Sequence, residues 1–166
     1  MRIPPLLSLL LSFALISCGP PNRQDLDLSD FVVEKPSDGI GHYVYAINLP
    51  ASVAAGGRLD AQMEWRTVGS VDPNSRYAMD VVLDGPGRTE FTVPADANTV
   101  GELHLANWLS YNFDVPADLA PGSYQFGVRL RDERRDNGVV PLGYREDLRM
   151  GEDGFYRIAT VEVTPE

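Results

Sequence analysis

The chain has 166 residues, 43% of them hydrophobic, and carries 24 acidic against 14 basic side chains for a formal charge of -10. That length suits one domain with a sizeable core. The acidic balance excludes a broad phosphate-binding surface, so nucleic acid is not an expected partner.

The first 17 residues differ in kind from the rest. Arg2 makes a short basic start, residues 6–16 form an apolar run broken only by Ser8 and Ser12, and small Ser17 precedes Cys18, the one cysteine of the chain. A run this short does not span a bilayer, which takes about 20 residues. It fits the apolar region of a secretory signal.

Leu15-Ile16-Ser17-Cys18 resembles the lipobox of bacterial lipoproteins. The resemblance implies a diacylglycerol on the Cys18 thiol, cleavage before that residue and acylation of the new amino terminus. An ordinary secretory signal with a chance cysteine, or a buried core cysteine, are the competing readings. A disulfide has no second thiol to draw on.

The expected organisation is therefore a signal peptide over 1–17, an acylated tether over 18–25 and a globular domain over 26–166. Gly19-Pro20-Pro21-Asn22-Arg23-Gln24 is polar and turn-prone, as a spacer should be. Several acyl chains make the membrane the first expected partner. In enteric lipoproteins, Asp after the cysteine favours retention in the inner membrane. Gly19 stands there, so the expected location is the cell envelope, at the outer membrane.

From about Leu26 the hydrophobic period is two. Leu59, Ala61, Met63, Trp65 and Thr67 alternate with Asp60, Gln62, Glu64 and Arg66, which describes a strand with one buried and one wet face. Similar alternation predicts strands at 76–83, 111–115 and 124–130, and shorter ones at 31–34, 42–49, 89–93, 102–106 and 155–163. Turn-forming Pro, Gly, Asn and Asp fall between them. Seven to nine short strands predict an all-β, antiparallel two-layer sandwich, with a barrel as its rival.

The run Leu119-Ala120-Pro121-Gly122-Ser123-Tyr124 resembles the turn before the sixth strand of immunoglobulin-like and fibronectin type III domains. In those domains a tyrosine hydroxyl folds back onto upstream backbone. The resemblance implies a structural role for Tyr124, and Trp65 reads as a central core residue. A wider pattern over 57–163 includes "GGRLDAQMEWRTVG", "LANWLSYNFDVP" and "DGFYRIATVEV". It resembles accessory β-sandwich domains of bacterial glycosidase-like proteins and membrane glycosyltransferases. It departs from them where Trp65-Arg66-Thr67-Val68-Gly69 lacks an asparagine and where Ala159 stands for a glycine.

Little in the chain suggests catalysis. His42 and His104 lack a second histidine at ligand spacing and read as surface strand residues. No nucleophile elbow or phosphate loop occurs. The acid-rich turns at 25–30, 84–87 and 152–154 offer oxygen atoms for calcium without the spacing of an EF-hand. No cofactor and no catalytic residue is expected.

Residues 131–154 form the longest stretch without strand pattern, and loops of such length are functional or disordered. Arg131, Arg134, Arg135, Tyr144, Arg145 and Arg149 concentrate there on an otherwise acidic protein. Arg and Tyr are favoured in recognition surfaces. The bland alternative is a solvated loop whose arginines pair with Asp132, Glu133, Asp136, Glu146 and Asp147.

The expected function is a lipid-anchored, non-enzymatic module that binds a glycan or an envelope protein through this loop. A small carbohydrate-active hydrolase working through acidic residues is the second reading. A structural subunit of a surface assembly is the third.

Overall fold

Alternating burial builds most of the molecule. In the computed structural model, which describes residues 22–33, 41–69, 74–96 and 107–166, strand β4 (Arg58–Val68) buries Leu59, Ala61, Met63 and Trp65 while the residues between them face outward. It lies in a sheet of four strands ordered β1 (Arg23–Asp27), β2 (Gly41–Pro50), β4 and β7 (Asn107–Asp114).

The second sheet faces it. Its order is β10 (Arg149–Met150), β11 (Phe155–Thr164), β8 (Gly122–Asp132), β5 (Tyr77–Asp84) and β6 (Arg88–Val93). Two short strands join its margins: β3 (Ser52–Ala54) runs parallel to β11, and β9 (Gly138–Val140) runs antiparallel to β8. The protein is thus an all-β, two-layer sandwich of immunoglobulin-like type, antiparallel among the described residues apart from the β3–β11 pair and a parallel bridge between His42 and Leu142.

The core between the layers holds Ile47, Leu49 and Phe113 from one sheet against Met79, Phe126 and Val161 from the other. Trp65, 1% exposed, stands among them as anticipated. A fully buried side chain of this size contributes roughly 1.5–3 kcal/mol relative to an exposed one.

Tyr124 ties two turns to this core. It is fully buried, its hydroxyl donates to the Ala120 carbonyl at 2.6 Å, and it accepts from the Gly87 N–H at 3.1 Å. Removing the hydroxyl strands one donor and one acceptor. Tyr124→Phe is therefore expected to cost about 1–3 kcal/mol in urea denaturation with an unchanged slope. A midpoint equal to that of the wild type would show that the hydroxyl contributes nothing.

Several elements differ from expectation. A strand that was not expected, Arg23–Asp27, precedes the one anticipated at 31–34 and pairs with Ala46–Pro50. At the start of the strand expected over 31–34, Phe31 instead closes a 3-10 turn over Ser29–Phe31, its N–H bonded to the Leu28 carbonyl at 3.0 Å, and Val32 makes an isolated bridge with Tyr144. Residues 1–21, with Cys18 in them, lie outside the described residues, as do His104 and the strand anticipated at 102–106.

Strand β5 departs most. Ala78, Asp80 and Val82 should face water by alternation, yet every residue from Tyr77 to Leu83 is buried. The cause lies in residues 138–154, part of which covers the outer side of this sheet. Met150 reaches over Gly127, where a Cβ would come within 2.6 Å of its sulfur and 2.9 Å of Val82. Glycine is needed there for close approach rather than for any unusual dihedral.

Candidate functional site

The segment expected to be an open loop is a folded excursion. It begins as a hairpin: Asp136 and Asn137 both have φ of 55°, and the Gly138 N–H returns to the Arg135 carbonyl at 2.9 Å. Two left-handed central residues make the tight turn whose twist matches that of paired strands. After β9 the chain crosses Leu142 and Tyr144, forms a 3-10 turn at Glu146–Leu148 and enters β10.

Tyr144 corrects the expectation of an exposed binding residue. It is 4% exposed, accepts from the Val44 N–H at 2.8 Å and donates to the Val44 carbonyl at 2.5 Å. Burial raises the phenol well above its ordinary pKa, so it stays protonated and able to donate. The ring also packs against Tyr43 and Tyr156. With buried Leu142 and Leu148, it anchors the excursion to the sandwich.

Arg131 is likewise committed internally. Asp80, 2% exposed, accepts from Arg131 Nε at 2.5 Å and Nη2 at 2.7 Å, from Arg129 Nε at 3.0 Å and Nη2 at 2.7 Å, and from Thr92 at 2.8 Å. Strand register explains the meeting, since Asp80 pairs directly with Arg129 and with Thr92. Burial alone would raise the Asp80 pKa. The hydrogen bonds from Arg131, Arg129 and Thr92 outweigh it and hold the carboxyl below its ordinary value. Arg129 also lies 4.2 Å above the centre of the buried Phe155 ring and donates to the Asp153 carbonyl at 2.9 Å.

The remaining arginines are exposed. Arg134 and Arg135 sit on the hairpin turn, Arg135 with 70% of its side chain in solvent and 3.5 Å from Asp132. Arg145 pairs with Asp147 at 3.0 Å and stacks 5.1 Å from Phe31, and Arg149 lies 3.5 Å from Glu146. Such exposed pairs contribute about 0–1 kcal/mol and leave the guanidinium groups accessible. The structure thus separates the six candidates into two that brace the fold, Arg131 and Tyr144, and four that face outward.

The carboxylates meet cations already in the chain. Two of the acid-rich turns converge on Arg88, which bonds Asp153, lies 2.9 Å from Glu90 and 3.5 Å from Asp84. Buried Asp132 accepts from the Arg76 and Arg134 N–H groups at 3.2 and 3.0 Å, closing the turn after β8. His42 is fully buried rather than at the surface. Among the described residues no group of three or more His, Cys, Asp or Glu side chains has the geometry to hold a metal ion.

No protein-family model and no curated protein matches the chain. Several solved structures are similar to it, and two of them illustrate the likeness. One is the CARDB domain of a Pyrococcus furiosus protein, solved in complex with di-metal ions, at 15% identity and TM-score 0.37 over 76% of this chain and 94% of that one. The other is the C-terminal domain of wzt, at 12% identity and TM-score 0.43 over 87% of this chain and 80% of that one. Both likenesses concern fold.

Proposed function

We propose that the protein is a non-enzymatic binding or assembly module, held at the cell envelope by lipid on Cys18. The observation that carries the binding part is the anchored excursion between β8 and β11. Buried Leu142, Tyr144 and Leu148 fix its path, and Arg134, Arg135, Arg145 and Arg149 project from it. A recognition edge needs such a fixed base, because ordering a mobile loop at the moment of binding costs affinity.

The hydrolase reading draws less support. A general acid needs a carboxyl with a raised pKa. The most buried carboxyl, Asp80, is shifted the other way by its arginines. Support for the anchor is the Leu15-Ile16-Ser17-Cys18 sequence after its short apolar run.

Both parts can be tested in cells fed a labelled fatty acid and then mildly crosslinked. The wild type is expected to carry label and sediment with membranes, while Cys18→Ala carries none. A captured partner is expected to be lost when Arg134, Arg135, Arg145 and Arg149 are replaced together by Ser. An unlabelled, soluble wild type would remove the anchor, and capture indifferent to the four arginines would remove this edge as the recognition surface.

A further inference from the structure

The outer face of the β1–β2–β4–β7 sheet carries a second, chemically distinct surface. Register sets Trp108 opposite Glu64, Ser110 opposite Gln62 and Asn112 opposite Asp60. Trp108 is 51% exposed, and β7 ends the strand order of this sheet among the described residues. A lone exposed hydrophobe needs no explanation. What surrounds this one does.

Ser110, Gln62 and Asn112 are exposed, and their side chains have no hydrogen-bond partner among the described residues. The charged groups flanking Trp108 and Gln62 are instead engaged with their neighbours. Arg66 pairs with Glu64 at 2.7 Å and lies 3.2 Å over the Tyr45 ring, and Arg23 bonds Asn48 and lies 3.3 Å from Asp60. Among the described residues, the neutral groups left open on this face are therefore an indole, two amides and a hydroxyl, with Arg58 and Asp114 exposed opposite each other at its far end.

That set matches sugar chemistry. An indole is a flat apolar platform for the C–H face of a pyranose, while amides and hydroxyls both donate to and accept from sugar hydroxyls. Trp108, Ser110 and Asn112 occupy every second position of β7 and span about 14 Å, the length of roughly two to three sugar rings in an extended chain. Charge selects among glycans. The outward carboxylates Asp25, Asp27, Asp60, Glu64 and Asp114 outnumber Arg23, Arg58 and Arg66, which disfavours an anionic chain.

We propose that this face binds a neutral glycan chain, with Trp108 as the stacking platform and Gln62, Ser110 and Asn112 as hydrogen-bonding partners. The inference rests on reading the domain as a binding module, and it places the sugar contact on the opposite sheet from the arginine-bearing excursion.

The test is native electrophoresis of the full-length chain in mild detergent, through gels containing a soluble β-1,4-glucan, β-1,3-glucan, α-mannan or galactan, with polygalacturonate as the acidic probe. At least one neutral polysaccharide is expected to retard the wild type. Trp108→Ala is expected to weaken that retardation at least tenfold, Trp108→Phe less, and the Gln62→Ala, Asn112→Ala double variant comparably to Trp108→Ala. Arg157→Ala, at an exposed position of β11 in the opposite sheet, should retard as the wild type does. Far-UV circular dichroism checks that each variant is folded.

Retardation by none of the neutral probes, or by polygalacturonate alone, would overturn the proposal. So would retardation that survives both Trp108→Ala and the double variant. An arginine-dependent protein crosslink together with a negative glycan result would leave the binding module standing and remove only the sugar.

Discussion

Asp80→Ala is expected to destabilise the protein by about 3–5 kcal/mol, the range for removing one partner from a buried ionic group. Asp80 is the acceptor on which Arg129, Arg131 and Thr92 converge, and the two arginine side chains are only 16% and 23% exposed. Without the carboxylate, two guanidinium groups remain partly desolvated beside each other. Their residual exposure lets water reach them in part, which favours the lower end of that range. The damage should spread into the excursion, since Arg131 contacts Asn137 at 3.4 Å and Arg129 holds the Asp153 carbonyl. Urea denaturation at pH 7 gives the magnitude. Stability within about 0.5 kcal/mol of the wild type, the scatter of ordinary surface substitutions, would show that Asp80 is not a keystone of this sheet.

The same group fixes a pH dependence. A carboxyl whose pKa is lowered on folding contributes stability above its unfolded value, near 3.8, and loses it as pH falls through the lower folded value. Its effect therefore lies in strong acid and is separate from any change near neutrality.

What could be read from the chain depended on whether the decisive neighbour was local. Strand β4 was legible, expected over 59–67 and found at Arg58–Val68, because one buried and one wet face write a period of two directly into the residues. Tyr124 was legible for a similar reason, since its acceptor lies only four residues upstream. Arg23–Asp27 was not: a short polar edge strand has one apolar residue, Leu26, and no alternation to detect. Asp136-Asn137 did carry a signal for the β8–β9 hairpin, as Asp and Asn tolerate the left-handed conformation its two central residues adopt, but the surrounding arginines equally suit an open loop.

Tyr144 and Arg131 show the harder limit. Both residue types suit an exposed binding loop, and their actual partners, Val44 and Asp80, are 100 and 51 residues away. Only the β5–β8 register and the path of the excursion bring these groups together. Trp108 carried no local signal of its side. Its strand was anticipated in part, but its exposure follows from the β4–β7 register, which sets it opposite Glu64 on the outer face.

Lowering the pH from 7.5 to 5 is expected to cost about 2 kcal/mol of stability through His42 alone. The imidazole is fully buried; Nδ1 lies 2.8 Å from the Thr67 hydroxyl, the ring packs edge-on against Tyr77 at 4.7 Å, and Nε2 has no partner among the described residues. Neither neighbour is an anion that would favour the charged ring. Burial accordingly lowers its pKa from 6.5 to about 4. Between those two values the unfolded chain takes up a proton that the folded chain refuses, so stability rises with pH across this window and falls as acid is added. Below about 4 both states are protonated and the loss stops growing. The window lies mostly above the carboxylate range, which separates it from Asp80. His42→Asn, whose amide can still reach Thr67, is expected to be less stable at neutral pH yet to lose this part of the slope. His104 is present in both proteins, so the difference between their pH profiles isolates His42. Parallel profiles from pH 7.5 to 5 would mean that the ring takes up its proton without unfolding the sandwich, and that the end of the domain around Tyr77 opens to water more readily than its packing implies.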